Sequence, residues 1–388
     1  MADHQKHAKL KRPALGQFAR REWAVIGTPC GEIQRLADGL IARLHERWKV
    51  AYVDADHAKA DSSATALPGK IGQGAQLVYT DRIHYHQLEW RGETGPFQFR
   101  PLFNATDAAI VNGNHFTARQ QIVVIDPRKA ESLSRKLDRL TDVQLILYAS
   151  GGEEIPDFLR SAIPKLSDLP AFRLEEVDAI ADWLERQLLT SLPPVRGLVL
   201  AGGRSVRMGQ DKGLLDYHGA PQREHLYRLM AALGVPPSLS CRADQLATLP
   251  KKLAALPDTF LELGPYGAIL SAFREDPDAA WLVIACDLPL IDETTIRYLL
   301  ERRDPTRVAT AFQSPVNEFP EPLIAIWEPR AYPVLLQFLS QGYSCPRKVL
   351  INADVKLLEA PDPRALHNVN SPEEYREVVE ALRSKATN

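Results

Sequence analysis

The segment LAGGRSVRMGQDKGLL, Leu200–Leu215, is the most informative part of this 388-residue chain. It begins at the end of a predicted buried strand and continues as a loop that contains glycines and cations. Gly202 and Gly203 allow the backbone to approach a ligand closely, and their N–H groups can bind phosphate oxygens. Arg207 and Lys212 supply the positive charge that a triphosphate requires. Taken alone, these residues are equally compatible with an ordinary strand–helix turn whose cations are solvated.

The loop differs from two common nucleotide-binding patterns, the GxxxxGK[ST] of a Walker A loop and the GxGxxG of a dinucleotide-binding turn. Four more segments follow it in the sequence: DTFLELGPYGAI (Asp258–Ile269), ACDLPLI (Ala285–Ile291), EPLIAIW (Glu321–Trp327) and NVNSPEEY (Asn368–Tyr375). In this order, the five segments resemble the molybdenum cofactor guanylyltransferases, the MobA family. The resemblance covers nearly all of Val195–Asn388.

This resemblance implies a fold, a reaction and a set of site residues. The fold is a nucleotide-diphospho-sugar-transferase-like (GT-A-type) NTP transferase domain. The reaction transfers GMP from GTP to (molybdenum-)molybdopterin, releases pyrophosphate and uses Mg²⁺. The implied partners are GTP, molybdopterin, and molybdoenzymes or their chaperones. The implied residues are catalytic Lys212, Arg207 and Asp287, with Asp287 also on the metal; nucleotide-binding Leu200, Ala201, Gly202, Gly203, Asp258 and Gly264; and pterin-binding Asn368, Asn370 and Arg347.

Independent of the family, Asp287 has a position suited to ligand binding. It follows the apolar run Trp281–Ala285, and ligands of open α/β sheets bind at the carboxyl ends of strands. Mg²⁺ prefers one or two carboxylates together with phosphate oxygens, so a magnesium ligand is one interpretation. A helix-capping aspartate is the other. Cys286 beside it is interpreted as a packing residue, because nothing marks its thiol as activated.

The remaining site residues each have a structural alternative. Asn368 and Asn370 alternate along an extended segment and project to one side, where they could bind a pterin or a phosphate. Local capping bonds are equally typical of asparagine. Arg347 is a candidate phosphate ligand or part of a surface salt bridge. Gly264 opens a tight turn before a helix. In the turn segment, Tyr266 and Ala268 replace the family's usual leucine and glycine.

Three other functions remain open for this half. A sugar-1-phosphate nucleotidyltransferase usually has a GTRL-type loop and a proline before its lysine, whereas this chain has Asp211-Lys212. A cytidylyltransferase generally carries Ala-Gly in place of Gly202-Gly203. A nucleotide-sensing or cofactor-delivery protein would not need both Lys212 and Asp287.

The N-terminal half resembles, with less specific motifs, the molybdopterin-guanine dinucleotide adapter proteins, the MobB family. The matching segments are VAYVDADHAKAD (Val50–Asp61), LPGKIGQGAQLVY (Leu67–Tyr79) and DAAIVNGNHF (Asp107–Phe116), the last with Asn112 in place of an acid. In VIGTPCGEI, Glu32 stands where a P-loop needs lysine, and a carboxylate there repels phosphate. We therefore interpret this half as a degenerate GTPase-like adapter or structural domain. Asp54, Asp56 and His57 form a metal-like cluster that is better explained as a solvated loop.

The composition and the order of predicted elements limit the classes of function and predict the domain organisation. The chain has 47 Lys and Arg against 49 Asp and Glu, which argues against nucleic-acid binding by bulk charge. Four scattered cysteines and no long apolar run favour a cytoplasmic protein that neither binds structural zinc nor enters a membrane. Alternating strands and helices predict two Rossmann-like three-layer α/β domains with mostly parallel sheets. The predicted parts are a flexible basic arm (1–21), the adapter domain (22–190), a linker (191–194) and the transferase domain (195–388).

The periodicity also predicts individual elements. In the first half, helices are expected at Ile33–Arg47, Ala130–Leu140 and Leu174–Leu189, and strands at Trp23–Ile26, Lys49–Val53, Asp107–Val111, Gln121–Ile125 and Val143–Tyr148. In the second half, helices are expected at Glu293–Arg302, at Ala331–Ser340 and from near Ser371, and strands at Gly197–Leu200, Trp281–Ala285, Val308–Phe312 and Leu323–Trp327.

Overall fold

The computed structural model describes residues 10–55, 69–152, 154–202 and 211–387. These residues form two compact units. One is Leu15–Ser191, and the other is Leu192–Asn388 together with the described residues before Leu15. The last helix of the first unit ends at Thr190, and the first strand of the second unit begins at Val195. Pro193 and Pro194 lie between them, where proline prevents the helix from continuing.

The N-terminal unit is built around a parallel sheet. Its strands are β1 (Glu22–Ile26), β2 (Val50–Val53), β3 (Leu77–Asp81), β4 (His86–Trp90), β5 (Ala108–Asn112), β6 (Gln120–Ile125), β7 (Val143–Tyr148) and β8 (Ala171–Arg173). Its helices are α1 (Cys30–Leu44), α2 (Gly69–Gly72), α3 (Pro96–Phe103), α4 (Ala130–Ser134), α5 (Asp157–Ala162) and α6 (Val177–Thr190). The sheet has the order β2-β5-β1-β6-β7-β8, and every pairing in it is parallel. β3 and β4 form a separate antiparallel hairpin.

The C-terminal unit contains a mixed sheet of seven strands. These are β9 (Val195–Leu200), β10 (Pro237–Cys241), β11 (Ala255–Pro257), β12 (Ala280–Ala285), β13 (Ala309–Gln313), β14 (Pro320–Trp327) and β15 (Val355–Leu358). Its helices are α7 (Gln222–Ala232), α8 (Pro265–Glu275), α9 (Glu293–Glu301), α10 (Ala331–Ser340), α11 (Pro346–Asn352) and α12 (Pro372–Thr387). The order is β11-β10-β9-β12-β14-β13-β15, and only β14 runs antiparallel to its neighbours.

Both faces of β12, near the middle of this second sheet, are buried, which explains why this strand is apolar throughout rather than alternating. Along β12, Leu282 and Ile284 face a cluster that includes Leu226 of α7 and Leu299 of α9. Trp281 and Val283 face the opposite cluster, which includes residues of α8 and α10. The unit therefore has three layers, and the prediction of an α/β fold with mostly parallel sheets is confirmed.

Several predicted elements differ from the structure in their bounds. The helix expected over Ile33–Arg47 runs from Cys30 to Leu44, and the strand expected over Leu323–Trp327 begins at Pro320. The helix expected over Ala130–Leu140 ends at Ser134, where the Ser134 hydroxyl donates to the carbonyl of Glu131 at 2.9 Å. Beyond it, the Arg139 guanidinium donates to the carbonyl of Gly113 at 3.0 Å. Such side-chain bonds to carbonyls compete with continued helix. The helix expected from Leu174 begins at Val177.

The expected basic arm over residues 1–21 is packed in its later part. Phe18 is buried against Phe99 and Phe103. The buried Glu22 carboxylate accepts hydrogen bonds from the backbone N–H groups of Gln17, Phe18 and Ala19 at 2.8–3.0 Å. Leu15–Arg21 thus belongs to the N-terminal unit, because its apolar side chains and its backbone both find partners there.

Candidate functional site

Two neighbouring parallel strands deliver the motif residues to one edge of the C-terminal sheet. β9 ends at Leu200, directly before Ala201 and Gly202, and β12 ends two residues before Asp287. The strands pair in parallel with Ala285 opposite Leu200. β10 lies on the other side of β9 and ends nearby at Cys241. The carboxyl ends of these three strands define the edge at which open α/β sheets bind ligands.

A pocket opens at this edge. Many of the residues that the sequence singled out line it, although they come from separate segments. They are Leu200, Ala201, Gly202 and Lys212 from the glycine segment, Asp258 and Gly264 from the second, and Asp287 from the third. Asp211, Gly213, Ser240, Pro265, Ala268, Ala285, Cys286 and Leu323 complete the wall. Gly203 and Arg207 lie outside the described residues, so their roles stay predictions.

Lys212 connects two of the predicted groups. Its Nζ donates to Oδ1 of Asn370 at 2.8 Å and lies 3.6 Å from Oδ2 of Asp287. The backbone N–H of Val369 donates to the carbonyl of Asp287 at 2.8 Å, which fixes the asparagine segment beside the strand end. Three segments more than 70 residues apart are therefore joined by one ammonium group and one backbone bond.

Asp287 has a carboxylate that is only partly satisfied. Among the described residues its Oδ1 is buried and has no hydrogen-bond partner. Burial raises the pKa of Asp287 above the ordinary aspartate value, and the nearby Lys212 charge opposes this without cancelling it. The ionised form would therefore gain from an added cation. Cys286 is buried, and burial also raises the pKa of its thiol, which agrees with a packing role.

The donor set suits magnesium only if substrate supplies most of the ligands. No group of three or more His, Cys, Asp or Glu side chains in the described parts of the chain is placed to hold a metal ion. Mg²⁺ commonly takes one or two carboxylates and completes its shell with phosphate oxygens and water. The unpartnered Oδ1 of Asp287 fits that arrangement.

Another part of the pocket wall is shaped by glycines and by a second, partly buried acid. A Cβ at Gly202 would lie 3.3 Å from Oδ2 of Asp258, so a side chain there would crowd the carboxylate. Ser240 donates to Oδ1 of Asp258 at 2.8 Å, and burial raises the pKa of Asp258 against the opposing effect of that bond. Gly264 has φ +55° and ψ −136°, a conformation that favours glycine, and it begins α8.

The remaining predicted residues border a second cavity. It is lined by Asp287, Leu288, Glu321, Pro322, Leu323, Ile324, Arg347, Leu366, Asn368 and Asn370. Arg347 donates to Oε2 of Glu321 at 3.2 Å, so the salt-bridge interpretation of Arg347 holds, yet its Nε is buried without a partner among the described residues. The backbone N–H of Asn370 donates to Glu374 at 2.6 Å. The expected cap of α12 is formed by Ser371 and Glu374, each of whose backbone N–H groups donates to the other's side chain at 3.2 Å. Asp287 borders both cavities.

Sequence reasoning missed several residues that line the first pocket or bind to residues lining it. Asp211 caps the short turn that holds Lys212, because its Oδ1 accepts from the N–H of Gly213 at 2.9 Å. The Gln245 amide donates to the other oxygen of Asp211 at 3.1 Å. The Arg242 guanidinium donates to the carbonyl of Gly202 at 2.9 Å. The Asp-x-Gly spacing of a cap was readable in the sequence, whereas Ser240, Arg242 and Gln245 carry no local signal.

At the corresponding edge of the N-terminal sheet, the polar side chains bind one another. Glu32 lies in the first turn of α1 and pairs with Arg35 at 2.8 Å and Arg128 at 3.4 Å. Asp54 accepts from the Tyr52 hydroxyl at 2.7 Å and from the Asn112 amide at 2.8 Å. Asp56 and His57, the other members of the predicted cluster, lie outside the described residues.

Together, the fold and the pocket define an α/β protein with a polar cleft at the carboxyl edge of its sheet. A family model described as the MobA-like NTP transferase domain matches residues 197–356. A molybdenum cofactor guanylyltransferase of Pseudomonas putida KT2440 is 34% identical over 194 residues, which are 48% of this chain and 98% of that protein. The chain therefore belongs to the MobA-like NTP transferase family through its C-terminal half.

Two further proteins show how far the likeness extends. A molybdenum cofactor biosynthesis bifunctional protein of Synechocystis sp. is 36% identical over 189 residues, and this chain spans about half, 54%, of its length. A crystal structure of molybdopterin-guanine dinucleotide biosynthesis protein A from Archaeoglobus fulgidus is 20% identical, with a TM-score of 0.42, and covers 49% of this chain and 99% of its own. None of the described helices is both long and apolar enough to cross a membrane.

Proposed function

We propose that the C-terminal unit transfers a guanylyl group from GTP to (molybdenum-)molybdopterin and releases pyrophosphate. The observation that carries this proposal is the convergence of Gly202, Lys212, Asp258 and Asp287, from three separate motifs, on one pocket. Relatives 31–36% identical over this half are named for guanylyltransferase activity or for biosynthesis of the molybdenum cofactor.

In this proposal, GTP occupies the first pocket. The backbone around Ala201 and Gly202 lies against the phosphates, and Lys212 together with Arg207 neutralises the charge of the departing pyrophosphate. Asp258 and Gly264 face the nucleoside. Because Lys212 already contacts Asn370, the triphosphate would draw the ammonium away from an amide oxygen, which costs less than breaking a salt bridge.

Asp287 would hold Mg²⁺ through its unpartnered oxygen, with the remaining ligands from phosphate and water. When bound, the ion supplies Lewis-acid stabilisation of charge on the phosphate oxygens. Lys212 stays within reach of both the carboxylate and the phosphates, which keeps the net charge of the pocket balanced.

The second cavity would take molybdopterin. Asn368 and Asn370 offer amide groups to the pterin or its phosphate, and Arg347 offers a guanidinium whose Nε is unpartnered in the described structure. A terminal phosphate oxygen of molybdopterin would attack the α-phosphorus of GTP in line, forming one P–O bond while the bond to the β-phosphate oxygen breaks. A phosphate nucleophile is already ionised at pH 7, so the residues act by positioning and charge neutralisation.

The test is pyrophosphate release measured with each of GTP, CTP, ATP and UTP, with and without molybdopterin. Release that requires both GTP and molybdopterin supports the proposal. Release with CTP and molybdopterin would indicate a cytidylyltransferase, and release with a sugar 1-phosphate instead would indicate the other nucleotidyltransferase class. Nucleotide binding without release under any pairing would indicate a sensing or delivery protein.

For the N-terminal unit we propose an adapter or structural role without nucleotide hydrolysis. The support is the pairing of Glu32 with Arg35 and Arg128 at the start of α1, where a phosphate loop would present cations. On this proposal, residues 22–190 and 195–388 act as separate domains in the cytoplasm, and the first serves delivery of the pterin or of the finished cofactor to molybdoenzymes or their chaperones.

A further inference from the structure

The first turn of α7 carries two buried polar side chains that belong to none of the motifs. Gln222 is fully buried, and Arg223 is 6% exposed. Among the described residues, Oε1 of Gln222 and Nε of Arg223 have no hydrogen-bond partner. Buried polar groups in folded proteins are nearly always hydrogen-bonded, and a buried cation normally has an anionic partner. A buried arginine whose Nε is unpartnered is a group to which an anionic ligand can bind.

Arg223 lies directly behind the wall of the first pocket. A Cβ built on Gly213, which lines that pocket, would lie 3.5 Å from both Cβ and Cδ of Arg223. Gly213 directly follows Lys212 in the same short turn, Lys212–Leu214. The absence of a side chain at Gly213 leaves the aliphatic part of Arg223 in contact with the turn that carries Lys212.

The Arg223 guanidinium is also close enough to two buried thiols for its charge to act on them. Burial raises the pKa values of Cys241 and Cys286, and the positive charge of Arg223 opposes the rise at both. Cys241 ends β10 and Cys286 follows β12, the two strands that flank β9. Arg223 therefore lies near the carboxyl end of β9, where the glycine segment starts.

Two acids of the pocket are already engaged elsewhere. Asp211 accepts from the N–H of Gly213 and from the Gln245 amide, at 2.9 and 3.1 Å. Asp258 accepts from Ser240 at 2.8 Å. Neither carboxylate is therefore the anionic partner of Arg223. The other anions that this pocket is proposed to bind are phosphate oxygens.

We propose that Arg223 is a further binding residue for the β- and γ-phosphates of a nucleoside triphosphate, acting with Lys212. The proposal rests on the proposed function in one respect only, that a triphosphate occupies the first pocket. The planar guanidinium can donate two parallel hydrogen bonds to phosphate oxygens, which a lysine cannot do.

The experiment measures binding of GTP, CTP, GMP and inorganic tripolyphosphate by calorimetry to the full-length chain. The variants are Arg223→Met, which replaces the aliphatic part of the side chain and removes the guanidinium, Arg223→Lys, and the control Arg228→Met. Arg228 is on the same helix, is exposed and pairs with Glu224 at 3.3 Å. Loss of a charge-assisted contact predicts at least about ten-fold weaker GTP and tripolyphosphate binding in Arg223→Met. GMP binding should change less than two-fold, Arg223→Lys should be intermediate, and the control should match the wild type.

Thermal unfolding of the ligand-free variants separates binding from a structural role. Removing a buried guanidinium whose Nε has no partner among the described residues should leave the melting temperature of Arg223→Met equal to or above that of the wild type. A lower melting temperature with equal losses for GTP and GMP would overturn the proposal, as would unchanged GTP binding. A wild type that prefers CTP, with the same selective loss in Arg223→Met, would contradict the guanylyl assignment while supporting Arg223. No binding of any probe to the wild type would overturn both.

Discussion

The carboxyl edges of the two sheets carry similar residue types, yet they differ in how those residues are paired. At the N-terminal edge, the buried Asp126 accepts from the Thr28 hydroxyl at 2.6 Å and from the Arg128 guanidinium at 2.7 Å. At the C-terminal edge, buried atoms of Asp287 and Arg347, and of two residues on α7, have no partner among the described residues. Trp23 Nε1, in the N-terminal unit, is the fifth such atom in the described chain.

This difference distinguishes a structural polar cluster from a binding site. When carboxylates and cations satisfy one another, an added phosphate must break existing bonds, and binding is weak. When buried polar atoms are left over, the protein carries a desolvation cost that a ligand can relieve. The comparison predicts that the same substitution will affect stability at one edge and turnover at the other.

The largest effect should follow from Asp287→Asn. Loss of the carboxylate charge that would hold Mg²⁺ should lower guanylyl transfer by at least about a hundred-fold, since metal stabilisation of phosphoryl transfer is worth several kcal/mol. The melting temperature should not fall, because the pKa of Asp287 is raised by burial and the neutral amide removes a buried charge. Steady-state pyrophosphate release and thermal unfolding measure the two effects.

The matched variant at the other edge is Asp126→Asn. Hydrogen bonds from Arg128 and Thr28 outweigh burial and lower the pKa of Asp126, so its ionised form stabilises the fold above the unfolded pKa near 4. The variant should lose stability at pH 7 and retain turnover. Equal losses of turnover in both variants would remove the distinction between the two edges.

The next effect should be that of Lys212→Ala on triphosphate binding. A partly buried ammonium facing phosphates is worth about 1.5–3 kcal/mol per charge-assisted contact, so GTP affinity or turnover should drop about ten-fold or more. Lys136→Ala in the N-terminal unit is the control, because Lys136 donates only to the Asn114 carbonyl, at 3.1 Å, among its described contacts. A GTP titration that is unchanged in Lys212→Ala would show that Lys212 does not bind the triphosphate and is only a solvated cation.

A smaller effect concerns acid stability. Burial, with the nearby His218 and Arg228, lowers the pKa of His225 to about 4, and the His225 ring stacks on His218 at 3.9 Å. The unfolded histidine takes up its proton near pH 6.5, so stability is complete above that pH and declines as the pH falls toward 4. His225→Gln should reduce the loss of stability between pH 7 and 5 by on the order of 1 kcal/mol.

Thermal unfolding at pH 7 and pH 5 measures this change, with the exposed His86 as the control in His86→Gln. Asp126 does not contribute to the change in stability between pH 7 and pH 5, because the stabilisation by its ionised form declines only below about pH 4. An identical pH dependence in the wild type and His225→Gln would show that His225 titrates normally in the folded chain.

The smallest effect should be that of removing the N-terminal unit. A chain that begins at Pro194 loses the contact between Lys11 and Asp276, but Asp276 keeps Arg196 at 2.9 Å. We expect it to fold and to retain guanylyl transfer within several-fold of the full chain, with weaker pterin delivery as the main change. Circular dichroism and pyrophosphate release test this, and a folded fragment without activity would assign a catalytic part to the N-terminal unit.

The fold was predictable wherever burial on both faces left continuous apolar runs. β7 and α10 have the predicted bounds, Val143–Tyr148 and Ala331–Ser340. β10, with the sequence PSLSC, was missed because its serines and its proline do not form the apolar run typical of a buried strand, although β10 lies between β11 and β9 and is buried in its second half. α7 was missed because its first turn is polar, although Gln222 and Arg223 in that turn are buried.

The candidate site was predictable only as a set of motif residues. The sequence predicted Lys212, Asp287 and Asn370 from separate segments. In the structure, side-chain oxygens of Asp287 and Asn370 lie within 3.6 Å of the Lys212 ammonium group. The partners of these residues are set by tertiary contact, and nothing local in the sequence marks Ser240 or Arg223. Whether a buried polar group is paired depends on residues distant in the chain, so the contrast between the two edges is visible in the structure alone.

The most direct test of the account is the GTP-binding stoichiometry of the full-length chain, measured by calorimetry in the wild type and in the double variant Lys212→Ala/Asp287→Asn. The account predicts one GTP per wild-type chain and none detectable per variant chain, because the N-terminal edge offers Glu32 where a phosphate loop needs a cation. A second GTP in the wild type, or one GTP retained by the double variant, would place nucleotide binding in the N-terminal unit and contradict the assignment of both halves.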